Sequence, residues 1–296
     1  MSIIKNFQKA SEIAKKKIYQ NKIYIMNNLL VSVLMPAYNA GLYISEAIQS
    51  IINQTYTDRE LIIIDDCSTD DTWDIISQYG QKDKRIIALQ NKENLWIAGN
   101  RNKLLEQAKW EYIMRQDADD ISFDYRMQKQ LEQMILDKDI WIIWWTLEVF
   151  DENGIIWDRK YSNDNDQLHK SIFRYSPVAQ PWSMVRKSVL EKIGIFDIYY
   201  PPAEDLDLSF RIWIHYKFAN LDQKVIRYRE NKNNSTFSKL TRMEIATVSI
   251  RLRYNWCGTY KMNFADHMYN IIQYISIFVI PAKFKIWLFN ILRKYM

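Results

Sequence analysis

The clearest pattern of apolar and polar positions lies between residues 31 and 72, where it predicts a strand, a helix and a second strand. The apolar run Val31–Met35 stops at Pro36, and its β-rich composition is typical of a short strand. Residues 44–52 then place four isoleucines and an alanine on one helical face. The continuous apolar run at 61–64 is typical of a parallel strand that is covered on both faces.

Polar residues follow both predicted strands directly. Residues 36–39 come after the first strand, and residues 65–70 come after the second. In an open α/β sheet, ligands bind beyond the carboxyl ends of the strands. We therefore expect the two segments to line one crevice.

This segment resembles the amino-terminal half of the family 2 glycosyltransferases. The resemblance rests on PAYN at 36–39, QTY at 54–56, ELIIIDD at 60–66 and STDDT at 68–72, and it extends more loosely to about residue 235. It implies an α/β protein of the GT-A fold, with a Rossmann-like, mixed and mainly parallel sheet flanked by helices and followed by a helical tail. It also implies an inverting enzyme that moves a sugar from a UDP-sugar or another nucleotide-sugar to a hydroxyl acceptor, in the synthesis of cell-surface polysaccharide or glycolipid.

The resemblance also implies roles for single residues around the donor. Asp66 would accept a hydrogen bond from the uracil N–H, which suits a carboxylate because it only accepts hydrogen bonds. Taken alone, the pair Asp65-Asp66 is better explained as a cap and turn before the helix predicted from Thr72. The implied donor-binding residues are Pro36, Ala37, Tyr38, Asn39, Asp65, Asp66, Asn94, Arg101 and Asp117.

Three further carboxylates follow a plausible strand at 112–114. Carboxylates this close repel one another unless a cation is present, and Mg²⁺ and Mn²⁺ prefer hard oxygen ligands. The cluster is similar to the family's DxD signature, although an isolated triplet of this kind is a weak signal. The resemblance implies metal contact by Asp119, with Asp117 towards the ribose or the metal and Asp120 as a secondary ligand.

A last acidic pair, Glu204-Asp205, opens a predicted helix with an apolar face at Leu206, Leu208, Phe210 and Ile214. Acids in a first helical turn are favoured by the helix dipole, so capping is one explanation. The resemblance instead implies that Asp205 is the general base and that Glu204 is its neighbour in the acceptor site. It also implies bracing by Asp207 and Arg211, and an acceptor or phosphate contact by Arg186.

Charge and composition divide the chain. The net charge of +5 equals the surplus of six lysines over one acid in residues 1–30, so the neutral middle argues against a nucleic-acid groove. We expect a basic helical extension at 1–30, a catalytic domain at 31–235 with its nucleotide half to about residue 120, and a helical tail at 236–296. Pro281 should break that tail.

The two cysteines are far apart and the amino terminus lacks an apolar signal core, which predicts a reduced, cytoplasmic protein. The tail from residue 271 carries four basic residues and no acid among many apolar ones. Such a tail could lie on an anionic surface at the inner face of the cytoplasmic membrane, or it could pack on the domain with its lysines in water.

Glycine and tryptophan occur in unusual numbers. The chain has six glycines, where average usage gives roughly twenty, and it has eleven tryptophans. Several tryptophans stand where a turn or a helix end favours glycine. We hypothesise that UGA codons read as glycine in the source organism have been translated as tryptophan; the alternative is a genuinely tryptophan-rich protein. The positions are Trp96, Trp110, Trp141, Trp144, Trp145, Trp157 and Trp213.

Two other functions remain open at this point. A nucleotidyltransferase shares an α/β nucleotide-binding core, but it needs a glycine-rich and basic phosphate loop that residues 35–41 do not provide. A non-catalytic nucleotide-binding subunit of a polysaccharide assembly would have lost the carboxylates that are present here.

Overall fold

The computed structural model describes residues 29–137, 140–159, 162, 164–174, 183–199, 202–230, 239–257 and 260–292. The basic helical extension predicted for residues 1–30 lies outside these residues, apart from its last two positions.

The described chain forms nine strands. They are β1 Val31–Ala37, β2 Arg59–Asp65, β3 Ile86–Gln90, β4 Tyr112–Arg115, β5 Ile121–Ser122, β6 Ile140–Asp151, β7 Gly154–Arg159, β8 Met184–Arg186 and β9 Lys217–Arg229. The helices are α1 Ile44–Ile52, α2 Thr72–Lys82, α3 Trp96–Gln107, α4 Arg126–Leu136, α5 Asn165–Ser171, α6 Lys187–Ile193, α7 Glu204–Trp213, α8 Leu240–Trp256, α9 Phe264–Val279 and α10 Ala282–Leu292.

All nine strands belong to one sheet, in the order β3-β2-β1-β4-β8-β6-β9-β5, with β7 paired to β6. Strands β3, β2, β1 and β4 are mutually parallel, and β6 and β9 run in the same direction because β8 pairs antiparallel with both β4 and β6. Six of the nine strands therefore share one direction, which confirms the predicted mixed, mainly parallel sheet.

Helices cover the sheet on both faces, because alternate side chains of the central strands enter two separate cores. In β2, Leu61 and Ile63 pack with α1 and α4, whereas Ile62 and Ile64 pack with α3, α6, α7 and α8. Both sets are almost fully buried. This is the packing that the continuous apolar run predicted.

The strand order also positions the candidate site. Ala37 at the end of β1 is in register with Asp65 at the end of β2, and β4 pairs with β1 on its other side. Because these three strands are parallel, the segments that follow them meet at one edge of the sheet. The three groups of acidic residues predicted from the sequence, at 65–66, 117–120 and 204–205, can be located relative to this edge.

Helices α8, α9 and α10 lie within the segment predicted as a helical tail, and Pro281 separates the last two as predicted. Among the described residues, no helix has both the length and the apolar character that crossing a bilayer requires.

Candidate active site

Asp66 ties together three segments at the edge of the sheet. Its backbone N–H donates to the Ala37 carbonyl at 2.8 Å, and its Oδ1 accepts from Asn91 Nδ2 at 2.7 Å and from the Leu95 N–H at 2.9 Å. The residue is only 3% exposed. The carboxylate predicted to read the base thus also fixes the turn that leads into α3.

Asp65 is fully buried beside it and holds the turn after β2. It accepts hydrogen bonds from the Ser68 hydroxyl and N–H, and from Gln90 Nε2 at 3.0 Å. These contacts match the turn-forming role that the pair suggests in isolation.

The loops after β1 and β2 are joined by hydrogen bonds. Asn39 has a φ of +48° and accepts the Thr69 N–H at 2.9 Å, while Gly41 donates its N–H to Asp70 Oδ2 at 3.0 Å. A Cβ at position 41 would lie 1.8 Å from the Asp71 carboxylate, so a larger residue there would require the exposed Asp71 side chain to move. Tyr38, between these contacts, leaves half of its side chain exposed at the crevice.

Helix α3 carries the next predicted residues. Asn94 Oδ1 accepts the Trp96 N–H at 2.9 Å, so Asn94 closes the turn that starts the helix. Arg101, in the second turn of this helix, is buried.

Arg101 is the centre of a cluster of charged side chains. Its Nη1 donates to Glu204 Oε1 at 2.8 Å and to Asp205 Oδ1 at 3.1 Å, and its Nη2 lies 3.9 Å from Asp117 Oδ1. Arg115 at the end of β4 also reaches Asp205 Oδ1, at 3.4 Å. The structure therefore brings together four residues that sequence reasoning had proposed separately: Arg101, Asp117, Glu204 and Asp205.

The two carboxylates at the start of α7 have different environments. Burial raises the pKa of Glu204, and the neighbouring Asp205 adds to this shift. Burial also acts to raise the pKa of Asp205, but Arg101 and Arg115 outweigh it, so that pKa lies below its ordinary value. Asp205 is therefore a carboxylate at neutral pH, and with 28% of its side chain exposed it is the more accessible of the two.

Asp117, Asp119 and Asp120 form a group of carboxylates whose ligand atoms lie within 4.8 Å of one another. Asp120 is fully buried and accepts the Arg229 N–H at 2.9 Å. Burial and then the charge of Asp117 raise the pKa of Asp119 to about 6. Hard oxygen donors this close together, with Asp117 raising the pKa of Asp119, fit a divalent cation, which would relieve their repulsion.

Two residues of the cluster were missed by sequence reasoning. Arg115 precedes the acidic triplet as the last residue of β4, and a charged residue ending a buried strand was the available signal. The ring of Phe196 lies 4.8 Å from the Arg115 guanidinium and 5.6 Å from that of Arg101. No local pattern identifies Phe196, because it follows α6 in an irregular segment.

Three expectations about neighbouring residues can be compared with the structure. Arg186 does not face the crevice: it donates to Tyr112 Oη and the Met134 carbonyl, and Tyr112 begins β4 at the opposite edge. Ile214 follows α7 and is partly exposed rather than on its packed face. Asp207 and Arg211 do hold α7, because Arg211 donates to Asp207 Oδ2 at 2.9 Å and to the carbonyls at 193–195.

The tryptophans in question differ in conformation. Trp96 has a φ of +61° and is 65% exposed, a backbone conformation that favours glycine. Trp110 and Trp213 do not have positive φ, and Trp213 is buried near the Tyr260 ring. Trp157 has a buried indole N–H without a hydrogen-bond acceptor in the described chain. The side chains of Trp141, Trp144 and Trp145 lie outside the described part of the structure.

Comparison with known proteins identifies the family of the chain. The family model described as "Glycosyl transferase family 2" matches residues 32–194. An uncharacterized glycosyltransferase of Methanocaldococcus jannaschii, MJ1057, is 31% identical over 87% of this chain and 91% of its own length. The Escherichia coli enzyme WfaP, named as a UDP-Glc:alpha-D-GlcNAc-diphosphoundecaprenol beta-1,3-glucosyltransferase, is 29% identical over 71% of this chain and 77% of its own.

A solved structure supports the fold independently of sequence. The mannosyltransferase PcManGT from Pyrobaculum calidifontis, in complex with GDP-Man and Mn²⁺, has a TM-score of 0.59 over 83% of this chain and 69% of that one, at 15% identity. The shared architecture is that of the GT-A glycosyltransferases. In the present chain, the carboxylates described above lie at the edge of the sheet. The family match covers more than half of the chain, and the protein therefore belongs to glycosyltransferase family 2.

Proposed function

We propose that the protein transfers a sugar, with inversion, from a UDP-sugar to a hydroxyl of a lipid-linked saccharide acceptor in surface-polysaccharide synthesis. The observation that carries this proposal is the gathering of Asp117, Glu204 and Asp205 around Arg101, next to the acidic triplet at the edge of the sheet. The donor and acceptor in the name of the similar enzyme WfaP support both the UDP-sugar donor and the lipid-linked acceptor. Family membership leaves the nucleotidyltransferase and non-catalytic alternatives without support.

In this proposal Asp205 is the general base. An acceptor hydroxyl oxygen forms the new bond to the anomeric carbon, its proton passes to Asp205, and the bond from the anomeric carbon to the diphosphate oxygen breaks. The nucleoside diphosphate leaves with the electron pair. Asp205 suits the role because it is ionised at neutral pH and partly exposed. Glu204, nearly fully buried, positions Arg101 rather than taking the proton itself.

The donor would occupy the edge between the loops after β1 and β2. Tyr38 offers an exposed ring towards the base, Asp66 lies beside the same loop, and Asn94 shapes the turn that would cover the nucleotide. Asp119 and Asp117 would hold Mn²⁺ or Mg²⁺, with Asp120 behind them. Such a cation stabilises charge on a diphosphate leaving group when it is bound.

The remaining expectations follow from this assignment. Residues 31–235 would form the catalytic domain and residues 236–296 a tail, with the enzyme acting at the cytoplasmic face of the membrane, where nucleotide-sugars are available.

A panel of UDP- and GDP-sugars tests the function directly. With Mn²⁺ present, we expect slow release of nucleoside diphosphate from one UDP-sugar without acceptor, and faster release with a polyprenyl-diphosphate saccharide. Release of inorganic diphosphate would indicate nucleotidyl transfer instead. If no nucleotide-sugar were bound or hydrolysed with Mn²⁺ or Mg²⁺, the proposal would be wrong.

A further inference from the structure

Helix α9 has its polar side facing the protein. Asp266 and Asn270 are buried on this side, and Gln273 is half-buried one turn further along. Each has a partner that makes the inward position stable. The contacts are Asp266 with Arg174 Nε at 2.6 Å, Asn270 with the Phe173 carbonyl at 2.7 Å, and Gln273 with Arg251 Nη1 at 2.8 Å.

The opposite side of α9 is apolar and exposed. Six side chains recur at intervals of mainly three or four residues and form one stripe, with exposed fractions between 40 and 71%. Monomeric soluble proteins rarely expose such a contiguous apolar surface, so this stripe is suited to contact with something outside the chain. The stripe consists of Met268, Ile271, Ile272, Ile275, Phe278 and Val279.

The exposed charges of the tail segments have one sign. Within the described residues 239–257 and 260–292 there are two acids, Glu244 and Asp266, and each is largely buried in an ion pair. The exposed charged side chains of these segments are Arg242, Arg253, Lys261 and Lys283, all of them basic.

We infer that the apolar stripe of α9 docks on an anionic lipid surface. Burial of the stripe in the interfacial region and attraction of the tail's exposed basic side chains to acidic headgroups act together. A second copy of this chain fits less well, because a two-fold interface over the stripe would bring together two tails whose exposed charges are all basic. At 16 residues, α9 is shorter than the roughly 20 residues that a spanning helix needs, so it would lie in the interface plane.

The docked helix is connected to the proposed base. Arg251 of α8 holds Gln273, and Tyr254 of the same helix donates its hydroxyl to Asp207 Oδ1 at 2.9 Å on α7. Helix α7 begins with the acidic pair. This part of the inference rests on the proposed function: docking would place Asp205 at a set height above the bilayer, within reach of an acceptor saccharide on a lipid carrier.

Vesicle flotation of the full chain tests the inference. We expect binding to vesicles of phosphatidylcholine with phosphatidylglycerol, and weaker binding to phosphatidylcholine alone or at high salt. The double variant Ile272→Glu with Phe278→Glu should reduce binding by about tenfold or more, because both side chains are exposed. Ile155→Glu, at an equally exposed apolar position on β7, is the matched control and should bind like wild type.

Three results would overturn the inference: no binding to anionic vesicles, equal binding by the double variant, or a dimer in sedimentation velocity that the double variant dissociates. Acceptor-free hydrolysis of the UDP-sugar is measured on the same samples. Absence of vesicle binding by the wild-type protein with hydrolysis intact counts against docking alone, whereas absent hydrolysis with intact docking counts against the proposed function.

Discussion

Arg101 and Asp205 are 104 residues apart in the chain, and the Arg101 guanidinium donates to the Asp205 carboxylate at 3.1 Å. This contact joins α3, which follows the donor loops, to the first turn of α7. Arg101 also reaches Asp117 of the acidic triplet, so one guanidinium touches the proposed acceptor side and the proposed metal side together. Binding at the proposed acceptor side should therefore affect the proposed metal side, and the reverse.

The first prediction concerns the general base. Asp205→Asn removes the proton acceptor and keeps the size of the side chain, so sugar transfer should fall by roughly a hundred- to ten-thousandfold. UDP-sugar binding, measured by calorimetry, should change little. Transfer at the wild-type rate would show that another group takes the proton.

The second prediction concerns Arg101 as a structural link. Arg101→Met leaves Glu204 buried without its cation, which should lower the free energy of unfolding by about 3 kcal/mol in a urea titration. Adding Glu204→Gln removes the stranded charge and should restore part of the loss. A single variant as stable as wild type, or a double variant less stable than the single, would contradict this account.

The third prediction concerns the cation. Asp119→Asn should weaken Mn²⁺ binding in the presence of UDP by about tenfold or more, measured by electron paramagnetic resonance, because carboxylate charge sets the affinity of such sites. Asp74→Asn changes an exposed acid on α2 and serves as the control. Chelation should abolish activity, and added Mn²⁺ should restore it. Equal Mn²⁺ affinity in Asp119→Asn would place the ion elsewhere.

The fourth prediction concerns backbone conformation at position 96. We propose that the native residue is glycine, since Trp96 has a φ of +61° and an exposed side chain. Trp96→Gly should raise the free energy of unfolding by about 1 kcal/mol, because a left-handed conformation strains residues with a Cβ. Trp96→Ala keeps the Cβ and should show no such gain.

Peptide mass spectrometry of the protein from its native source decides the codon question independently. A fragment with the mass of glycine at position 96 is expected, and tryptophan there would refute the proposal for that site. Cys67 tests the argument from backbone strain separately from the codon question. Its φ is +62°, so Cys67→Gly should stabilise the fold by a similar amount.

Much of the fold follows from local patterns. The run at 61–64 was expected to be a strand covered on both faces, because every position is apolar, and the structure confirms a strand there that ends at the first of the paired acids. The acidic triplet after β4 and the pair that opens α7 were likewise visible as motifs. Their convergence was an inference from topology. The pairing with Arg101 was not predictable, since it depends on how α3 and α7 pack against each other.

Helix α9 shows most clearly what only the tertiary structure decided. Its sequence has an apolar stripe and a polar stripe, and periodicity alone would turn the apolar stripe inward. The structure turns it outward, because Arg174, Arg251 and the Phe173 carbonyl provide buried partners that satisfy the polar side. The amino-acid sequence by itself determined which residues share a face. Distant residues, brought together by folding, determined which face meets the protein and which is left for a partner.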